Sequence, residues 1–218
     1  MTEHTLHFSR KATVPTVTPA SRADIDDLAR LLAQSFQFDP PSRAVLQPSD
    51  DQDMLRRAFY LFRAILASGP IDAGLVDTIR EDGRILGVAT WEAPGDTMSS
   101  SVSSYVKHVP DYVRAIGWAG LPRAIKIQMQ IGRHKPGVPA WYLHAIGVHP
   151  EFRGRGVGSQ LLKHRLDLVD ADNQPAYLES STSLTGRLYR RHGFQTLRPI
   201  SITEQAVPYA MWRPPAKG

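Results

Sequence analysis

From Ile25 the apolar residues Ile25, Leu28, Leu31, Leu32 and Phe36 fall at three- and four-residue spacings, which places them on one face of a helix. Ser21 precedes them as a capping residue and acidic side chains crowd the first turn, so a helix is predicted from Ser21 to Phe36. Asp39-Pro40-Pro41 ends it, and the polar stretch to Asp53 reads as an exposed loop. A second amphipathic helix is predicted over Gln52 to Ala67, with Leu55, Ala58, Phe59, Phe62 and Ile65 inward, and Ser68-Gly69-Pro70 breaks it. Ala73 to Arg80 and Arg84 to Trp91 then read as strands flanking Glu81-Asp82-Gly83. An Asp-Gly pair between two such runs signals a hairpin.

Residues 98 to 135 hold more apolar and aromatic positions than one core face needs, in two or three helical pieces divided by Pro110, Gly117 and Gly120-Leu121-Pro122. Ordinary helix packing is one reading of this segment. The other has Tyr105, Tyr112, Trp118 and Met129 partly lining a hydrophobic acceptor site. Trp141 to Val148 is an aromatic and β-branched run of strand length, stopped by Pro150, which has no N–H for a ladder. Val157, Leu161, Leu162, Leu168 and Val169 repeat at helical spacing after it. Strands at Val14 to Thr18, Ala176 to Ser181, Gln195 to Ile202 and Val207 to Trp212 and a helix at Leu184 to Arg191 complete the series. The fold class is therefore α/β: a mixed central sheet flanked by helices, with a helical insertion before the central strand.

At 218 residues the chain is long enough for one domain with a sound core, expected over 14–213. Residues 1–13 read as a loose tail, 98–135 as the insertion, and 214–218 as a fraying end. The absence of cysteine excludes disulfides, cysteine nucleophiles and thiolate metal sites, and it fits a reducing cytoplasm. No His and carboxylate spacing forms a metal motif. No apolar run approaches the roughly 18 residues of a membrane span, and the first residues do not read as a signal peptide, so a soluble, cytoplasmic protein is expected.

The formal charge of +5 is concentrated. Lys107, Arg114, Arg123, Lys126, Arg133 and Lys135 stand against Asp111 alone between Ser104 and Lys135. A solvated helix face, a wall beside phosphates and a docking surface for an acidic partner all fit this run. Nucleic acid fits less well, because the cations are not interleaved with stacking aromatics.

The loop Glu151-Phe152-Arg153-Gly154-Arg155-Gly156-Val157-Gly158-Ser159 carries the chemistry. Glycines at alternate positions remove side chains, so main-chain N–H groups can close on an anion, and the following helix N-terminus adds unpaired N–H groups and partial positive charge. A diphosphate seat is the expectation. It is no Walker A loop, since Gly-Lys-Ser/Thr is missing, and Ser159 and Leu161 stand where a dinucleotide fingerprint needs its third glycine.

The order Arg153-x-x-Gly156-x-Gly158 after a strand ending Val148-His149-Pro150, followed by Leu188-Tyr189-Arg190-Arg191-His192-Gly193-Phe194, resembles the GNAT superfamily of acetyl-CoA-dependent N-acetyltransferases. Pro139-Ala140-Trp141-Tyr142-Leu143 and Leu178-Glu179-Ser180-Ser181 are similar to the branch containing puromycin N-acetyltransferase. The match covers residues 137 to 213; upstream only the order of elements agrees.

The resemblance implies a GNAT-like acyl-CoA N-acyltransferase fold with acetyl-CoA as cofactor. Arg153, Gly154, Arg155, Gly156, Val157, Gly158 and Ser159 would hold the diphosphate. Ile146, Gly147 and Val148 would meet the pantetheine arm, because the central strand of such proteins splays from its neighbour and pairs with the arm as an added strand. The N–H of Val148 would point at the thioester oxygen. Tyr189 would lie beside the sulfur as general acid, a phenol that keeps its proton at neutral pH; a core tyrosine bonded to main chain is the alternative. Thr182 and Thr185 depart from the family pattern, which often has Asn and a small residue there.

The base is open. Relatives with a strand-borne glutamate place it at the position of Tyr142. His144, two residues on along the same face, has a suitable pKa but also suits a satisfied core position. Glu179, on the next strand, would hold the amine directly or through water, or simply pair with an arginine. His134 and water-mediated deprotonation remain as further readings.

The leading expectation is an N-acetyltransferase acting by direct attack of a small-molecule primary amine in a ternary complex. Nucleic acid and membrane are not expected as partners, and a homodimer stays open. A non-catalytic acyl-CoA sensor or docking protein is the alternative. A dinucleotide oxidoreductase with Glu179 on a ribose is a third.

Overall fold

The computed structural model describes residues 15–95 and 102–217, the side chains of 102–106 excepted. The tail expected over 1–13, Val14, Met98 and the side chain of Tyr105 lie outside the described residues. The chain runs β1 (Val17–Pro19), α1 (Ile25–Ser35), α2 (Pro40–Leu46), α3 (Asp51–Ala67), β2 (Val76–Glu81), β3 (Arg84–Glu92), α4 (Val102–Ile116), α5 (Leu121–Gly132), β4 (Trp141–Val148), α6 (Val157–Ala171), β5 (Ala176–Ser180), α7 (Ser183–Arg191), β6 (Gln195–Pro199) and β7 (Tyr209–Arg213). The seven strands form a mixed sheet in the order β1-β2-β3-β4-β5-β7-β6, in which β4 and β5 are the parallel pair.

Two local readings of the sequence are corrected. The stretch after Asp39 is not all loop. Asp39 accepts a hydrogen bond from Ser42 N at 2.9 Å, and Pro40, needing no N–H in the first turn, starts α2 instead of only ending α1. Pro110 lies inside α4 and does not divide it. The lost helical hydrogen bond is offset by anchors to α3: Arg63 donates to Asp111 at 2.7 Å, and Arg57 to Ala115 O at 3.2 Å.

The sheet buries both faces. On one, Val88 and Ala145 pack with Leu28, Leu32, Met54 and Phe62 from α1 and α3. On the other, Ala89, Trp91 and Leu143 pack with Leu161, Leu162 and Val169 from α6, whose Leu168 is instead exposed. Small residues let the helices approach: a Cβ on Gly147 would lie 2.8 Å from Ser35 Oγ and 3.0 Å from Leu31 Cδ2, and one on Gly87 would lie 2.7 Å from Val157 Cγ1. Arg165 of α6 is locked to Asp77 of β2 in a buried bidentate pair at 2.7 and 2.9 Å, with Gly74 O as a third acceptor at 3.1 Å. The hairpin turns through Asp82 and Gly83, both at positive φ, as the Asp-Gly pair predicts.

The C-terminal end differs in detail from the expectation. β6 stops at Pro199, and Lys217 N donates to Asn173 Oδ1 at 2.9 Å, so the last residues are tied to the α6–β5 turn.

Candidate active site

The site begins where β4 and β5 part. They pair over Trp141↔Ala176, Tyr142↔Tyr177 and Leu143↔Leu178, and no pairing continues beyond Leu143 among the described residues. On its other edge β4 stays on β3 to Val148, with the register shifting between Thr90 and Trp91 so that His144 is the extra residue of a bulge. The bulge changes which face each residue serves. Leu143 faces α6, and so does Ile146 three residues later, while Ala145 joins the α1 side.

His149 N donates to Leu86 O at 2.8 Å, which makes those two a hydrogen-bonded pair. The two-residue period of an antiparallel ladder gives Gly147 and Val88 the same relation and turns the main chain of Ile146 and Val148 away from β3, into the opening. Val148 O receives a long contact from Ser35 Oγ at 3.4 Å; its N–H has no partner among the described residues. Gly147 is different. Its main chain faces β3, and its missing side chain makes room for α1.

The glycine loop lies beside the same opening. Gly154 and Gly156 adopt φ of 76° and 81°, and a Cβ at either would meet nothing within 4 Å. Gly158 does not need positive φ. It keeps the floor low, since a Cβ there would touch Leu188 and Val148 at 3.6 Å. Gln160 N is the first amide of α6 with an acceptor, Gly156 O, and no side chain caps the helix; the N–H groups of Val157, Gly158 and Ser159 are unpaired among the described residues. Arg153 and Arg155 are exposed, and the Arg155 guanidinium stacks 5.1 Å over the Phe152 ring.

These features fit acetyl-CoA: bare amides and a partial positive charge for the diphosphate, and a free strand edge for the amide-bearing arm. Tyr189 is buried against Phe194, at 6.0 Å between ring centres, with no hydrogen bond to its hydroxyl among the described residues. Burial, and secondarily the Asp39 charge, push its pKa well above the usual phenol value. Thr182, Ser183 and Thr185 start α7 through a reciprocal cap, Thr185 N donating to Thr182 Oγ1 at 3.2 Å, which explains the departure from the family pattern as helix capping.

Behind the opening stands a polar cluster. Tyr142 Oη donates to Glu179 Oε2 at 2.7 Å, while Glu179 Oε1 is buried without a hydrogen-bond partner among the described residues. A carboxylate from β5 thus meets the hydroxyl end of the Tyr142 side chain. Burial raises the pKa of Glu179, and the Tyr142 hydrogen bond and the Lys135 charge oppose the rise. The ring of His144 sits 5.6 Å from that of Tyr142, and burial lowers its pKa, so it is neutral. Lys135 Nζ lies 3.6 Å from the centre of the Tyr142 ring and 3.9 Å from Glu92 Oε2. His134, in the turn after α5, folds back on that helix, its Nδ1 2.9 Å from Gln130 O.

The insertion contributes less apolar wall than the sequence reading allowed. Trp118 and Met129 are 70% and 58% exposed, whereas Ile131 packs with Tyr142 and Tyr177. Its charges are also partly spent on structure, Arg123 on Val45 O and Arg114 on Asp111. Two contributors escaped the sequence reading: the Tyr142–Glu179 bond, and His192, whose Nε2 lies 3.2 Å from Ser159 Oγ in the seat. Neither has a local signal, since each joins elements far apart in the chain.

Among the described residues no three His, Asp or Glu side chains could hold a metal, and no helix is long and apolar enough to cross a membrane.

Comparison with known proteins agrees with this geometry. Residues 114–196 match the sequence model of the acetyltransferase (GNAT) domain. Over 82 residues, 37% of the chain, the sequence is 38% identical to the N-alpha-acetyltransferase RimI of Mycobacterium tuberculosis, and it spans 45% of that protein. Among solved structures, a histone acetyltransferase HPA2 and related acetyltransferase from Corynebacterium glutamicum superposes with a TM-score of 0.70 at 27% identity, covering 94% of this chain and 99% of that one. Arylalkylamine N-acetyltransferase 2 from Aedes aegypti shares the fold at a TM-score of 0.57 and 17% identity, over 93% of this chain and 99% of its own. With the strand opening, the glycine seat and these relationships together, residues 114–196 carry a GNAT acetyltransferase domain match and the chain has the fold of GNAT acetyltransferases.

Proposed function

We propose that the protein transfers an acetyl group from acetyl-CoA to the primary amine of a small molecule, by direct attack in a ternary complex. The observation that carries this reading is the early end of β4–β5 pairing, which leaves the Val148 N–H free between the bare amides of α6 and the half-satisfied carboxylate of Glu179. Val157, Gly158 and Ser159 hold the diphosphate through main chain with Arg153 and Arg155 at its rim, and Ile146 and Val148 meet the arm. Acetyl-CoA, when bound, supplies the activated acyl group.

Glu179 is the base. Oε2 is fixed by Tyr142, so Oε1 is the lone acceptor left for an ammonium proton, and burial makes it a stronger base than an exposed glutamate. Neutral His144 is a second acceptor on the same wall. Val148 N–H, turned into the opening, would donate to the acyl oxygen as negative charge develops there, a donor worth about 3 kcal/mol. Tyr189 keeps its proton because it is buried, and it would supply that proton to the sulfur that leaves when the amine takes the acyl group.

Lys135 already occupies Glu92 and the face of the Tyr142 ring, so Glu179 is the carboxylate left to receive the amine, and the neighbour named for arylalkylamines supports a small acceptor. The cysteine-free chain suits the reducing cytoplasm, where the proposal places the reaction. A thiol-release assay with acetyl-CoA and a panel of alkyl, arylalkyl and guanidino amines, an aminonucleoside and an N-terminal peptide tests it. Turnover with a small amine is expected. CoA binding with no turnover on any amine would leave a sensor, and failure to bind CoA would remove the reading altogether.

A further inference from the structure

We propose that His192 is a positioning residue for the cofactor, holding Ser159 in the diphosphate seat and tightening that seat as it gains a proton. This rests on the acetyl-CoA reading of the loop. His192 caps the C-terminal end of α7, and its Nε2 shares a hydrogen bond of 3.2 Å with Ser159 Oγ. Ser159 is the third residue of α6, one of the three whose amides are unpaired. The main chain of His192 is anchored, because Arg213 donates to His192 O at 2.8 Å while its guanidinium is paired with Asp170. From that anchored position the imidazole reaches Ser159 Oγ and directs the serine hydroxyl.

The groups around His192 are Ser159 and Lys163 from α6, Arg191 from α7 and Arg213 from β7, with Asp170 engaged by Arg213. Burial, followed by these cations, lowers the pKa of the imidazole, so the ring is neutral at neutral pH in the free protein. A diphosphate arriving at the amides reverses the local field, and binding and protonation then favour each other. In the protonated form Nε2 can only donate, which turns the Ser159 O–H outward to the phosphate oxygens.

The test is calorimetric titration with 3′-dephospho-CoA, chosen because its diphosphate stays ionised between about pH 5.5 and 8. The wild-type protein is expected to bind about two- to fivefold more tightly at the acid end, the scale of one partly screened charge contact. His192→Gln should flatten that profile, Ser159→Ala should weaken binding, and the double variant should be no weaker than the weaker single one. A His192→Gln profile that still follows the wild type, or effects of the two changes that simply multiply, would overturn the proposal. Wild-type protein that binds no CoA would overturn the cofactor reading as well, so the two failures are distinguishable.

Discussion

Replacing Glu179 with Gln should make the protein more stable and nearly inactive, and both effects come from the same burial. The side chain is enclosed behind the strand opening with one oxygen bonded to Tyr142 and no hydrogen-bond partner for the other among the described residues. Its raised pKa means that the folded protein keeps the proton at pH values where the unfolded chain has lost it. Stability therefore falls as the pH rises from the ordinary glutamate value through the raised one, by about 1.4 kcal/mol for each unit separating the two. Glutamine is neutral throughout, so Glu179→Gln should exceed the wild type in Tm at pH 8, with the difference shrinking toward pH 4. Catalysis moves the opposite way. A general base contributes about 10²- to 10⁴-fold, and its kcat/KM should climb with pH as the carboxylate ionises. The variant should lose that factor together with the acid limb of the profile. Thermal unfolding across pH and thiol-release kinetics on the same samples decide the matter. A variant that retains half the turnover with an unchanged limb would refute the assignment, as would a stability difference independent of pH.

Tyr189→Phe should lower kcat by about 10²-fold or more while CoA affinity, read by calorimetry, stays within about twofold; intact turnover would remove the tyrosine from the mechanism. Asp77→Asn leaves Arg165 buried without its charge partner and should cost about 3–5 kcal/mol in chemical denaturation, and a loss below about 1 kcal/mol would contradict the burial of that pair. Gly147→Ala should destabilise by about 1–3 kcal/mol, because the new methyl meets Ser35, Leu31 and Leu32 at 2.8–3.1 Å. Adding Ser35→Ala removes the nearest of those atoms and should recover part of the loss, which the same denaturation experiment checks.

Chemistry that acts over a few residues was legible in the sequence. β4 occupies Trp141–Val148 as its β-branched and aromatic run predicts, Asp82-Gly83 makes the hairpin turn, and α6 begins at Val157 behind glycines placed for positive φ. The same local reasoning misjudged Pro40 and Pro110. A proline reports only a missing N–H, and whether that starts a helix or is tolerated within one depends on Asp39 in the first case and on α3 in the second. Tyr189 and the glycine loop could be singled out as candidates because a continuous motif carries them. Glu179 stood in the sequence as one candidate base among several, and the structure adds its hydrogen bond to Tyr142.

What the chain alone determined was where anions can be met by bare amides and which segments alternate or repeat to build a sheet with helices on it. The tertiary structure decided how far β4 follows β5, that a bulge at His144 exchanges the two faces, and that Glu179 reaches Tyr142 across strands 37 residues apart. Those outcomes depend on register and on packing between distant elements, and no stretch of sequence contains both sides of such a contact.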